Sequence, residues 1–64
     1  MKLQLQIQCN NAAFEDSCGD EVARLLREAA AKIEGASQKA LRGFGNPLRD
    51  INGNRVGEFQ FSQS

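Results

Sequence analysis

The segment from Asp20 to Glu34 constrains the fold more than any other part of the chain. Its apolar residues recur at the i, i+3, i+4, i+7 and i+11 spacing that stacks side chains on one face of an α-helix. These residues are Val22, Leu25, Leu26, Ala29 and Ile33. Charged residues occupy the opposite face, so the helix must pack one side against a second layer. We predict a helix over residues 18–34, with Ser17 or Asp16 as its N-cap and Gly35 as its stop.

A strict alternation of apolar and polar residues over positions 2–9 predicts a strand with one buried face. The apolar side carries Leu3, Leu5, Ile7 and Cys9. The polar side carries a row of glutamines, Gln4, Gln6 and Gln8. This row is either the solvated outer face of a two-layer domain or a self-association surface, because a glutamine amide donates and accepts hydrogen bonds without carrying a repelling charge.

The end of the chain predicts a β-hairpin with strands over residues 48–51 and 55–61. Between them, Asn52-Gly53 is typical of a tight turn in which both residues have positive φ. A single register cannot turn Val56, Phe59 and Phe61 all inward, so we expect a bulge at Gly57 that resets the alternation.

The segment over residues 36–46 predicts a loop, with one extra helical turn near residues 38–42. Its Arg42-Gly43-Phe44-Gly45 run matches the opening of an RNA-binding motif whose aromatic residues stack bases. The following Asn46 and Pro47 break that match, because proline is excluded from a central strand. We therefore expect Phe44 to fold onto the core, and Phe14 to close one end of it.

The sequence contains few residues that could bind a metal ion or act as reactive thiols. Cys9 and Cys18 are the only cysteines and there is no histidine, so a structural zinc site lacks its usual ligands. We expect both thiols to be reduced, with Cys9 in the core and Cys18 near the start of the helix.

Asp50, Asn52 and Asn54 have the spacing of calcium-loop ligands. Arg55 and Phe61 replace the required glycine and acidic residue, so we predict a turn and no metal or cofactor.

Composition limits the remaining function classes. The 64 residues form one domain, 1–64, with a small core, and the 8 basic and 8 acidic residues cancel. Zero net charge gives no general attraction to nucleic acid or anionic lipid. The apolar runs are too short to span a bilayer, and no basic and apolar leader stands at the start. These features predict a cytoplasmic protein.

Three stretches together suggest a family setting. NAAFE, the helix EVARLLREAAAKIE and the ending NPLRDINGNRVGEF make the chain resemble small proteins encoded in bacteriophages, prophages and related mobile elements. The resemblance covers nearly the whole chain, and residues 47–57 are its most specific part. It implies a bacterial or phage setting, but it implies no activity and no functional residue.

We predict a two-layer α+β fold of the order β-α-β-β, with one helix packed on a three-stranded, antiparallel sheet. The last strand then lies in the centre; the alternative is a parallel pairing of the first two strands through a right-handed crossover. The predicted core is Leu3, Leu5, Ile7, Phe14, Val22, Leu25, Leu26, Ala29, Ile33, Leu48, Ile51, Val56, Phe59 and Phe61.

The predicted function is that of a non-enzymatic interaction module. We expect it to bind a host or phage protein, or to form a homodimer, through an exposed strand edge or the row of Gln4, Gln6 and Gln8. The alternative is a nucleic-acid-binding accessory protein that uses the late basic residues Lys39, Arg42, Arg49 and Arg55. An enzyme is not expected, because no triad or histidine is present and the chain is too short for a sizeable pocket.

Overall fold

The strands of the protein form one antiparallel sheet that carries the main helix on one face. The computed structural model describes residues 1–10, 14–15 and 17–63. Its elements are β1 (Lys2–Ile7), α1 (Cys18–Ile33), α2 (Gln38–Leu41), β2 (Gly45–Arg49) and β3 (Arg55–Ser62). The sheet order is β1-β3-β2, and β3 is antiparallel to both neighbours. The predicted α+β fold with a central last strand is confirmed, and the parallel alternative is wrong.

The ends of α1 follow the sequence signals only in part. The helix ends at Ile33, one residue earlier than predicted, and Gly35 supplies the positive φ of 83° that turns the chain away. Ser17 occupies the N-cap position, but its hydroxyl makes no capping hydrogen bond to the described part of the helix. Its backbone lies at φ −142° and ψ 56°, outside the extended region that aims a capping hydroxyl. Asp16, the alternative cap, lies outside the described residues.

Two strands differ from their predicted bounds. β1 ends at Ile7 rather than at residue 9, and Cys9 is exposed instead of buried in the core. β2 runs from Gly45 to Arg49, earlier than the predicted 48–51, so Pro47 lies inside a strand. Pro47 is tolerated there because β2 is an edge strand, where a missing N–H costs no ladder hydrogen bond.

The connection between β2 and β3 is longer than the predicted two-residue turn. Asp50 N–H donates to the carbonyl of Asn54 at 2.8 Å, which closes a five-residue loop. The Asp50 carboxylate accepts hydrogen bonds from the backbone N–H groups of Asn52 and Asn54 at 2.9 and 2.8 Å. Because this side chain shapes the loop, only Gly53 needs a positive φ, of 87°; the prediction of a positive φ at Asn52 is wrong.

The expected bulge is present on β3, centred one residue before its predicted position. Leu48 lies opposite Gly57 while Arg49 lies opposite Arg55, so Val56 is the extra residue. The bulge allows Val56 and Phe59, which are out of phase in a regular strand, to be buried together.

Among the residues that the structure describes, seven buried apolar side chains form the core. They are Phe14, Leu25, Ala29, Leu48, Val56, Phe59 and Phe61. Phe44 packs on Phe59 with ring centroids 5.7 Å apart, as predicted. Leu41 of α2 also packs against the core, although the helical pattern did not reveal it.

Besides Cys9, three residues predicted to be in the core are exposed: Leu3 and Leu26 at 46% each, and Ile51 at 75%. Ile51 lies in the loop between β2 and β3, where no second layer covers it. The exposure of Leu3 follows from the position of the helix. Because α1 makes its main contact with β2, the β1 side of the sheet is only partly covered.

A polar cluster attaches the first turn of α1 to the loop between β2 and β3. The Glu21 carboxylate accepts hydrogen bonds from Arg24 Nε at 2.9 Å and Nη2 at 3.0 Å. It also accepts one from the backbone N–H of Ile51 at 3.1 Å. Arg24 Nη2 donates in turn to the carbonyl of Arg49 at 3.1 Å. The hydrogen bonds from Arg24 hold the pKa of Glu21 below its ordinary value, against the opposing effect of burial.

We expect this cluster to make the free energy of unfolding depend on pH in the acidic range. A carboxyl with a pKa lower in the folded than in the unfolded state stabilises the fold above its unfolded pKa of about 4.3, and this contribution is lost as the pH falls through the folded pKa. Urea unfolding should show Glu21→Gln less stable than the unmodified protein at neutral pH, with the difference shrinking by about pH 3. Glu28→Gln is the control, because the side chain of Glu28 is 38% exposed and bonds the same Arg24. A constant difference for Glu21→Gln at all pH values would contradict this account.

Gly57 allows β1 and β3 to approach closely. A Cβ at this position would overlap the backbone carbonyl of Gln6 on β1. Backbone atoms in a central ladder cannot move aside locally, so Gly57→Ala should lower the free energy of unfolding by about 3 kcal/mol. Gly19→Ala is the matched control, because a Cβ there meets nothing within 4 Å in the first turn of α1. That variant should gain roughly 0.5 kcal/mol. Equal stabilities in chemical denaturation would refute the close-approach role of Gly57.

Candidate interaction surface

Among the described residues, the outer edge of β1 has backbone groups without a strand partner. The Gln8 N–H donates to the Val56 carbonyl at 2.7 Å, which sets the phase of the β1·β3 ladder. Hydrogen-bonding direction alternates along an antiparallel strand, so even-numbered residues face β3. Leu3, Leu5 and Ile7 therefore direct their N–H and C=O groups away from the sheet. No strand in the described part of the chain pairs on that side.

The opposite edge of the sheet is less suited to pairing. Phe61 N–H donates to the Phe44 carbonyl at 2.9 Å, so even-numbered residues of this segment face β3. Pro47 consequently lies at an outward position of β2, where it removes a donor. Proline at an edge is a common protection against added strands. The sheet thus has one closed edge, at β2, and one open edge, at β1.

The glutamine row predicted on β1 lies on the outer face of the sheet. Gln4, Gln6 and Gln8 are all exposed, although Gln8 lies just past the end of the strand. The register extends this polar face onto β3, where Gln60 lies opposite Gln4 and Glu58 opposite Gln6. Alternation in the last strand could have indicated Glu58 and Gln60, but their place beside β1 required the strand order.

A shallow groove of about 230 Å³ lies at one end of the outer face, and Gln6, Gln8, Arg55 and Glu58 contribute to its lining. Arg55 Nη2 and Glu58 Oε1 form an exposed ion pair at 3.6 Å within it. The groove is open to solvent, and its charged groups neutralise each other. This arrangement can make polar contacts to a partner.

The basic residues predicted for nucleic-acid binding are only partly brought together. Arg49 and Arg55 lie opposite each other at the end of the β2·β3 ladder. Arg49 Nη1 donates to the Gly53 carbonyl at 3.3 Å. Lys39 lies in α2 and Arg42 directly follows it. Because Phe44 packs on Phe59, the aromatic residue of this segment is turned toward the core and not toward a stacked base.

The two cysteines lie just after β1 and at the first position of α1. Both Cys9 and Cys18 are free and exposed. Local desolvation raises the pKa of the Cys9 thiol, and its hydrogen bond with Cys18 acts in the same direction. A raised pKa reduces the thiolate fraction, which is the nucleophilic form.

Within residues 1–10, 14–15 and 17–63, none of the helices has the length and apolar character needed to cross a bilayer.

Comparison with known proteins yields no match to a protein-family model, to a curated protein or to a solved structure. The resemblance to phage and prophage proteins therefore stays a prediction from the sequence.

Hydrogen exchange should reveal the open edge directly. In dilute protein, the amides of Leu3, Leu5 and Ile7 should exchange at least about tenfold faster than those of Gln4 and Gln6, because only the latter bond to β3. Gln4 and Gln6 serve as internal controls, since they share the same strand and the same fraying. Uniform protection along β1 in dilute protein would show that the edge is covered.

Proposed function

We propose that the protein is a non-enzymatic interaction module that adds an extended segment of another polypeptide to the free edge of β1. The open edge carries this proposal, because it offers the outward N–H and C=O groups of Leu3, Leu5 and Ile7. Backbone pairing of this kind is a general mode of peptide recognition.

The two faces beside this edge define the chemistry of the partner. Side chains of an added strand alternate between the faces of the sheet. On the helix side, the exposed Leu3 and the half-buried Leu5 and Ile7 favour apolar residues. On the other side, the exposed Gln4 and Gln6 favour uncharged polar residues. A fitting partner is therefore a strand with alternating apolar and polar residues, and the resemblance stated above makes a host or phage protein one candidate for it.

The basic residues support nucleic-acid binding less well. Arg55 pairs with Glu58, and Arg49 donates to the Gly53 carbonyl of the loop that follows β2, so two of the four predicted cations already have protein partners. Binding to phosphates would have to displace these contacts. Nucleic-acid binding is accordingly an outcome that the experiment below can detect rather than a second proposal.

The decisive experiment compares two substitutions at one position. Leu3→Pro removes an outward N–H without removing a hydrogen bond to β3, whereas Leu3→Ala shortens the side chain and keeps the N–H. Tagged protein would be used for capture from bacterial lysate that also contains the untagged chain, with bound proteins identified by mass. We expect Leu3→Ala to retain the bound protein at a level close to that of the unmodified chain and Leu3→Pro to lose at least about nine-tenths of it. Circular dichroism verifies that both variants fold.

Equal capture by both variants would refute strand addition at β1. The same capture is run with and without nuclease, because retention that disappears with nuclease would assign the function to Lys39, Arg42, Arg49 and Arg55 instead. Such retention should also weaken steeply with salt as counterions compete for phosphate.

A further inference from the structure

We infer that the polypeptide added at β1 is a second copy of this chain, paired antiparallel about a two-fold axis at Leu5. This inference rests on the proposed function, since it names the occupant of the same open edge. It places Leu3 opposite Ile7 of the partner copy and Gln4 opposite Gln6 of the partner copy. The product is a continuous sheet made from the two three-stranded sheets.

Backbone geometry selects this register. In an antiparallel pair, residues that exchange both hydrogen bonds must each direct their backbone groups toward the other strand. On β1 these are Leu3, Leu5 and Ile7. Pairing about Leu5 matches each of them with another such residue inside the strand. A shift of the pairing by two residues would leave at least one of them opposite a residue outside β1.

Side-chain polarity agrees with the same register. Directly opposite residues lie on the same face of a sheet, so a shift by a single residue would set leucines beside glutamines. Pairing about Leu5 instead keeps Leu3, Leu5 and Ile7 on the helix side in both copies. The partly uncovered apolar side of β1, where Leu3 is 46% exposed, would then be continued by an identical apolar surface.

Charge repulsion between two copies does not oppose their association. On the outer face, glutamine lies opposite glutamine, and Lys2 lies opposite Gln8 of the partner copy. Amide side chains can donate and accept hydrogen bonds with each other without like-charge repulsion. The 8 basic and 8 acidic residues also cancel, so two copies do not repel each other at long range. The closed edge at Pro47 on β2 limits the assembly to a dimer.

Pairing through β1 doubles the exposed glutamine face. Gln4 and Gln6 of one copy would lie beside Gln6 and Gln4 of the other, in the middle of the joined sheet. The joined sheet would then present a polar surface wider than that of a single copy.

Two double variants test the register, and they differ only at residue 4. The first combines Gln4→Glu with Gln6→Lys, which places a carboxylate at position 4 opposite an ammonium group at position 6 of the partner copy. The second combines Gln4→Lys with Gln6→Lys, which places two ammonium groups opposite each other. In both variants the new ammonium group at position 6 lies opposite Glu58 of its own chain, so the intrachain contacts there match. Sedimentation equilibrium should give a dimer dissociation constant at least about tenfold higher for the second variant, because two cross-strand pairs change from attractive to repulsive.

Raising the salt concentration should reduce this difference, since the pairs are exposed. Equal dissociation constants at low salt would overturn the register, and so would a tighter dimer of the second variant. If either variant fails to fold, hydrogen exchange of the unmodified chain tests whether the β1 edge pairs with a second copy. Increasing protein concentration should slow the amides of Leu3, Leu5 and Ile7 at least about tenfold relative to Gln4 and Gln6.

A strictly monomeric protein, with exchange independent of concentration, would overturn the second-copy inference. The proposed function would survive that result if Leu3→Pro still abolished capture of a different protein while Leu3→Ala retained it. Loss of both effects would refute the proposed function together with the inference.

Discussion

The antiparallel pairing of β3 with both other strands is the constraint on which the rest of the structure depends. β3 is the only strand of the described sheet with two neighbours, and it contributes three of the buried core side chains, Val56, Phe59 and Phe61. The bulge at Val56 makes this possible, because without it one of these side chains would face solvent. Gly57 then lets the backbone of β1 lie close beside the bulge.

The position of α1 explains why the β2 side of the sheet is covered and the β1 side is only partly covered. Glu21 and Arg24 bind backbone groups of Ile51 and Arg49, which attaches the start of the helix to the β2 side of the sheet. A single helix cannot cover three strands equally. The β1 side, farthest from this attachment, keeps Leu3 exposed and Leu5 half-buried. The polar cluster that orients the helix therefore also determines where apolar surface is left uncovered.

Periodicity predicted the elements of this fold well, because each depends on neighbours close in sequence. The helix from Cys18 to Ile33 and the alternation of β1 are local patterns, and so is the stop at Gly35. The errors arose where a contact outside the repeating pattern decides, whether that contact is local or distant. Asp50 binds the backbone of its own loop and changes the turn type, while coverage of Leu3 depends on which strand the helix contacts.

In the candidate site, too, some features followed from the sequence pattern and others required the structure. Alternation alone was enough to predict the exposed row of Gln4, Gln6 and Gln8. The neighbouring positions of Glu58 and Gln60, and the outward backbone groups of Leu3, Leu5 and Ile7, required the strand order and the hydrogen-bonding phase. A strand edge is a property of the assembled sheet, so the alternation of β1 could not show that one side of this strand stays without a neighbour.

The two edges of the sheet differ in a way that bears on function. Edge strands of monomeric proteins are commonly protected by proline, by charge or by bulges, because unpaired backbone groups template unwanted pairing. β2 has such a protection in Pro47, and it ends beside the bulge of β3. β1 has only Lys2, at its first position, and is otherwise built of alternating leucine, isoleucine and glutamine. A sheet with one protected edge and one regular edge, charged only at Lys2, has the asymmetry that a controlled, pairwise interaction requires. A second open edge would allow assembly to continue without limit.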